Sequence, residues 1–321
     1  MDESIGAVRL LVLVGPTAVG KTDLSMGLSE TLNSEIIGAD SRQVYRHMDI
    51  GTAKPSPEDR ASVPHHLVDV VDPDEQFGLA GYLGLAKQSI TNTDVRGTIP
   101  ILVGGTGQYI WALLEGWQVP EVPPDPDTRE SLEALARVSG LAAVLQVLED
   151  IDPVAAGRVD RGNLRRVIRA VEVARHGPRP DPAKVPPDYD TLIIGLGLAR
   201  DQLYQRIDRR VDEMMDAGWL SEVAALLDMG YGTGLPSMSG VGYRELGGHI
   251  LGETSLDAAV QRTKFRSHKY ARQQHAWFKR DDPRIRWFDS GDGIDSAVRT
   301  AVQWLDRPRA TGVCGVSGLQ G

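Results

Sequence analysis

Cysteine is almost missing: the 321 residues include one, Cys314. A lone cysteine excludes an internal disulfide framework and any zinc site built from several cysteines. No stretch approaches the roughly 20 unbroken apolar residues that span a bilayer, so no membrane association is expected. The opening Met1-Asp2-Glu3-Ser4 is acidic and lacks the basic start of a secretory signal, which points to the cytoplasm. No internal repeat is present. What remains is ordinary for a soluble globular protein, with 41% hydrophobic and 25% charged residues and length enough for about two domains.

A net charge of −9 argues at first against a nucleic-acid partner, but its distribution does not. Residues 158–180 hold seven Lys and Arg against two acids, Asp160 and Glu172. Residues 262–280 hold seven and no acid. Two concentrated basic segments on an acidic body suit a localised polyanion site. Two solvated helix faces would leave the same pattern. The spacing puts Arg158, Arg161, Arg165 and Arg169 on one helix face and Leu164, Ile168 and Val171 on an apolar one. Arg262, Arg266, Lys269 and Gln273 share a second basic face, with room for phosphates.

Prolines mark the organisation. Val119–Pro126 and Pro178–Pro187 read as stiff connectors, because such runs continue neither a helix nor a central strand. Between them the chain is rich in helix formers. The expected division is a core of residues 1–122 and 188–308, a helical insertion domain of residues 123–187, and a disordered tail, 309–321. In the core, Leu10–Val14, Glu35–Ala39, Ile99–Val103 and Thr191–Leu198 are strand candidates. Helical segments alternate with them, including one with Leu24, Leu28 and Leu32 on one face, and Asp201–Ala217 and Leu256–Lys279 follow. That alternation argues an α/β fold with an open parallel sheet flanked by helices.

The strongest local signal is Gly15-Pro16-Thr17-Ala18-Val19-Gly20-Lys21-Thr22, which fits G-x-x-x-x-G-K-[ST] between a predicted strand and a predicted helix. Its glycines let backbone N–H groups close around phosphate oxygens. Lys21 adds a mobile charge, the helix N-terminus its dipole, and Thr22 a hydroxyl for Mg²⁺. This makes the core P-loop NTPase-like and implies a diphosphate-bearing ligand; by itself it does not establish ATP hydrolysis. The third strand ends in Gly104-Gly105-Thr106-Gly107 rather than in the acid that a nucleotide hydrolase would place there. The acid sits instead after the second strand, at Asp40, as a metal ligand, a general base or a helix cap.

In order, GPTAVGKT, Ala39–Lys54, Pro64–Asp69, Ile101–Tyr109, Asn163–Val173, Val241–Glu245 and Tyr270–Trp277 resemble the bacterial tRNA dimethylallyltransferase (tRNA isopentenyltransferase) family. The resemblance covers about residues 8–280. It implies transfer of an isopentenyl group from dimethylallyl diphosphate, held at Gly15–Thr22, to N6 of the adenosine 3′ of the anticodon. It makes Asp40 the base, Thr106 a partner of the leaving diphosphate, and Lys21 and Arg210 further catalytic groups, with Mg²⁺ at Thr22. On the anticodon stem-loop side it implies contacts from Asp40, Ser41, Arg42, Gln43, Arg129, Arg165, Arg166, Arg169, Gly242, Arg244, Arg272, Gln273 and Trp277. One departure stands out. Where the family reads arginine-glutamine-x-threonine-tryptophan, this chain reads Gln273-Gln274-His275-Ala276-Trp277. A monomer is expected.

Other residues invite bland readings. The side chains of His65 and His66 diverge, and no third ligand is near, which favours structure over metal. Trp277 could stack on a base or pack in the core. Met214 and Met215 are core residues by position. Two rival classes share the P-loop: an ATP-dependent small-molecule kinase and a non-catalytic RNA-binding switch.

Overall fold

The computed structural model describes residues 7–120, 122–177 and 184–308. The expected tail 309–321 and much of the second proline run lie outside them. The chain divides into two compact units, Met1–Gly116 with Pro186–Gly321, and Trp117–Val185. The second begins six residues before the position expected from the prolines.

Among the described residues, six strands build the first unit: β1 (Val8–Val14), β2 (Ser34–Ala39), β3 (His65–His66), β4 (Ile99–Gly104), β5 (Tyr189–Gly197) and β6 (Ile285–Asp289). They form one parallel sheet ordered β3-β2-β4-β1-β5-β6. Near-continuous apolar runs are the mark of strands covered on both faces, and β1 is buried from Arg9 to Val14. Connections leave β1 toward β2 on one side and, after β4, toward β5 on the other. A crevice opens at the carboxyl ends of the strands where the direction reverses. The loop after β1 and the turn after β4 both lie there.

The helices are α1 (Lys21–Thr31), α2 (Pro57–Ser62), α3 (Leu79–Val95), α4 (Gly107–Leu114), α5 (Pro126–Ile151), α6 (Pro153–Arg158), α7 (Leu164–Ala174), α8 (Arg200–Asp216), α9 (Trp219–Asp228), α10 (Tyr243–Ile250), α11 (Leu256–Trp277) and α12 (Ile294–Leu305). Leu24 and Leu28 of α1 pack with Leu11, Leu13 and Ile101 of the sheet and Leu203 and Ile207 of α8 in one core. A second core gathers Trp219, Tyr243, Leu246 and Met238, with Met214 and Met215 packed at its edge.

His65 and His66 turn out structural. His66 Nε2 and Arg96 meet the Glu35 carboxylate, at 2.6 and 2.5 Å. Burial would raise the Glu35 carboxyl, but its bonds to Arg96, His66 and Thr93 hold it down at about 2. No cluster of three or more His, Cys, Asp or Glu suited to a metal exists among the described residues.

In the second unit, α5, α6 and α7 pack around Leu132, Val144, Leu148, Val167, Ile168 and Val171. By length and hydropathy Pro126–Ile151 would pass for a membrane span. However, Gly140 has φ 78° and ψ 171°, so the helix breaks into two segments, each too short to cross. The expected continuous face Arg158–Arg169 is also broken. Arg158 ends α6, and α7 starts only at Leu164, capped by the Asn163 side chain on the Arg166 N–H at 3.3 Å. Gly162 and Asn163 favour a turn over a continued helix, so Arg158 and Arg161 share no helix face with Arg165 and Arg169.

Candidate active site

The β1–α1 loop carries the phosphate-binding geometry. Gly15 has φ +148°, and a Cβ there would lie 2.6 Å from the Leu196 carbonyl oxygen, so only glycine fits. Gly20, at φ 97°, caps α1 without a side-chain hydrogen bond. The first amides of α1 therefore stay open to an anion. The amides of Ala18, Val19 and Gly20 have no hydrogen-bond partner among the described residues. Lys21 Nζ donates to the carbonyls of Gly15 (3.0 Å) and Pro16 (2.8 Å). Burial and the neighbouring Arg210 charge lower the Lys21 ammonium from 10.5 to about 7, against an opposing pull from Asp40.

The loop lines a cavity of about 770 Å³ that also reaches Asp40, Gln43, Gly105, Arg206, Arg210, Tyr270 and Gln274. Asp40 Oδ1 accepts from the amides of Arg42 (2.7 Å) and Gln43 (3.4 Å). Oδ2 has no hydrogen-bond partner among the described residues. Residues 41–44 form a turn and no helix, so Oδ1 braces a turn and the helix-cap reading does not apply. From α8, Arg206 and Arg210 stand one turn apart and line the cavity, on the strip beside buried Leu203, Ile207 and Val211. Arg206 donates to Ser290 Oγ at 2.9 Å. Arg210 has no ion-pair partner among the described residues. Burial lowers its guanidinium, and Asp40 and Asp23 pull the other way.

Several expected contacts fall elsewhere. Thr106 stands behind the wall rather than in it. Its Oγ1 accepts the Ser41 N–H at 3.1 Å, which holds the Asp40 turn against β4. Arg42 is engaged with the carbonyls of Pro236 (2.7 Å) and Ser237 (3.2 Å), and Gln43 Nε2 with those of Thr52 and Ala53. These contacts fix loops, and Gln43 still lines the cavity. Gly242 is buried against the Trp219 ring, with its N–H on Glu245 Oε2 at 2.8 Å, whereas Arg244 beside it is exposed. Arg272 donates to Tyr204 Oη at 2.8 Å, and Gln273 is exposed. Trp277 packs over Gly107 yet stays 37% exposed.

In the second unit, Arg129 and Arg169 both bind buried Glu172, at 2.7 and 3.0 Å. Burial would raise that carboxyl, and the two arginines and the Asp125 N–H at 2.9 Å bring it below its usual range. Arg166 pairs with Asp160 at 3.4 Å. Arg165 is exposed and has no partner among the described residues.

Two wall residues escaped the sequence reading. Gln274 is 3% exposed; its Oε1 accepts the Thr17 N–H at 2.8 Å and its Nε2 donates to the Gly105 carbonyl at 3.0 Å. Tyr270, one turn earlier on α11, lies beside Thr106 and Gln274, and burial pushes its phenol up to about 12. Their i, i+4 spacing, which puts the two on one strip of α11, was the available signal.

Fold and site define a class: a P-loop α/β protein whose phosphate cradle shares one cavity with a half-free carboxylate. The IPP transferase family model matches residues 43–281. A tRNA dimethylallyltransferase of Roseiflexus sp. (strain RS-1) is 49% identical over 304 residues, 93% of this chain and 99% of its own. The tRNA isopentenylpyrophosphate transferase of Bacillus halodurans superposes with a TM-score of 0.69 at 38% identity, covering 93% of this chain and 97% of its own. A eukaryotic dimethylallyltransferase acting on tRNA gives 0.77 at 25% identity, covering 94% and 82%. The chain belongs to the IPP transferase family.

Proposed function

We propose that this protein transfers a dimethylallyl group from dimethylallyl diphosphate to N6 of the adenosine 3′-adjacent to the anticodon in tRNA. The observation that carries this reading is the single cavity joining open loop amides, Lys21 and Arg210 to the free oxygen of Asp40. Adenine N6 is a poor nucleophile because its lone pair is delocalised into the ring. A carboxylate within reach accepts its proton as the C–N bond forms. As the allylic C–O bond breaks, negative charge develops on the diphosphate. The loop amides and two cations already placed there stabilise it without reorganisation. Thr106 acts by holding the turn that aims Asp40.

Mg²⁺ fits this site with few protein ligands. The exposed Thr22 hydroxyl is one, and diphosphate oxygens and water would complete the shell of a hard cation. When bound, it would neutralise part of the leaving-group charge.

The target base must leave the anticodon-loop stack, which costs a few kcal/mol, and phosphate contacts elsewhere offset this. The exposed cations Arg165, Arg244, Arg262 and Lys269 are suited to it. Relatives named for tRNA dimethylallyl transfer support the same substrates.

The test is to incubate the protein with tRNA and either labelled dimethylallyl diphosphate or labelled ATP. Label from the prenyl donor should enter RNA, and none should enter from ATP. Transfer of phosphate from ATP to a small acceptor would instead establish the kinase reading.

A further inference from the structure

The amides of the β1–α1 loop are not all open. Ala18, Val19 and Gly20 have none of their N–H groups engaged, but the Thr17 N–H already meets the Gln274 carbonyl at 2.8 Å. The Gln274 carboxamide cannot turn around without losing both contacts, because its Nε2 donates to the Gly105 carbonyl at 3.0 Å. It also fills space that only a glycine leaves: a Cβ on Gly105 would stand 2.1 Å from that nitrogen. Lys21 Nζ covers the carbonyls of Gly15 and Pro16. The first three residues of the loop are thus occupied by the protein's own groups, and the open donors run from Ala18 toward the start of α1.

We propose that Gln274 is a specificity-determining residue that closes the Thr17 end of the cradle, so that the loop takes a diphosphate and rejects a triphosphate chain. This rests on reading the loop as the seat of the prenyl diphosphate. Two phosphates laid along the open amides and the α1 N-terminus find a donor for their oxygens. A third phosphate, reaching Thr17, would find its amide taken and a carbonyl oxygen facing it, an acceptor against an anion. The same P-loop pattern that serves nucleoside triphosphates elsewhere is thereby shortened by a residue from α11, 257 positions away in sequence.

The experiment titrates inorganic diphosphate and inorganic tripolyphosphate into the full chain by calorimetry, at equal Mg²⁺, without tRNA. The variants are Gln274→Ala, which frees Thr17 and opens the space, and Gln274→Glu, which keeps an acceptor on Thr17. The wild type should prefer diphosphate about tenfold or more. Gln274→Ala should lose at least about tenfold of that preference by gaining tripolyphosphate affinity. Gln274→Glu should weaken both ligands and keep the preference. If Gln274→Ala does not fold by thermal denaturation, Gln274→Ser carries the same expectation. Parallel weakening of the two ligands in the small variants would make Gln274 a packing residue and overturn the proposal, as would equal affinities in the wild type. Transfer to tRNA is assayed separately, so a protein that selects diphosphate but prenylates nothing would overturn the proposed function alone.

Discussion

Asp40 lines the cavity while its Oδ1 holds the turn through the amides of Arg42 and Gln43, and Oδ2 has no hydrogen-bond partner among the described residues. Asp40→Asn keeps an oxygen for the turn but cannot take up a proton. Transfer should slow by about 10² to 10⁴-fold while tRNA affinity stays within a few fold; single-turnover rates and filter binding measure the two. Unchanged turnover would remove Asp40 as the base. Lys21 gives a pH prediction. Its ammonium titrates near 7 in the free loop, and the diphosphate binds the charged form. Below about pH 7 binding needs no proton; above it a proton must be taken up, and affinity should fall by up to tenfold per unit. Calorimetry at about pH 8 in two buffers of different ionisation heat should show that uptake, and its absence would contradict the assignment. The loop was legible in the sequence because its eight residues act as a contiguous piece. Gln274 was not, since both of its partners lie far away along the chain.

Among the elements, α7 shows how periodicity can mislead. Arginine spacing runs evenly from 158 to 169, yet the turn at 160–163 divides the run, and Arg169 turns to buried Glu172 while Arg165 stays free. The burial of Glu172, an acid inside an otherwise apolar stripe, decides the fate of two arginines, and sequence spacing cannot show that. Arg169 and Arg165 should therefore separate experimentally. Arg169→Ala should cost about 1–3 kcal/mol in denaturant unfolding, because the Glu172 carboxylate loses a donor. Arg165→Ala should leave stability within about 0.5 kcal/mol and lower the salt slope of tRNA binding by about one. Equal slopes for Arg165→Ala and wild type would exclude that helix position from phosphate contact.

For the whole molecule, the four central strands were readable because strands covered on both faces are apolar throughout. The edge strands were not. β3 is two histidines, and β6 carries Arg286 and Asp289 within five residues. The missing acid after β4 was equally informative, since Gly104 and Gly105 leave room there for Ala39 and Gln274. Ligand linkage follows from the cavity. Dimethylallyl diphosphate at 100 times its Kd should stabilise the first unit by about 2.7 kcal/mol, raising Tm by several degrees, whereas ATP at equal concentration should do little. A larger shift with ATP would favour the kinase class.

The most direct measurement uses a bacterial strain whose tRNA lacks isopentenyl-adenosine, supplied with this protein or with its Asp40→Asn variant. Mass spectrometry of digested tRNA should find the modified nucleoside restored 3′ of the anticodon by the wild type and not by the variant. Equal restoration by both, or none by the wild type, would contradict the account.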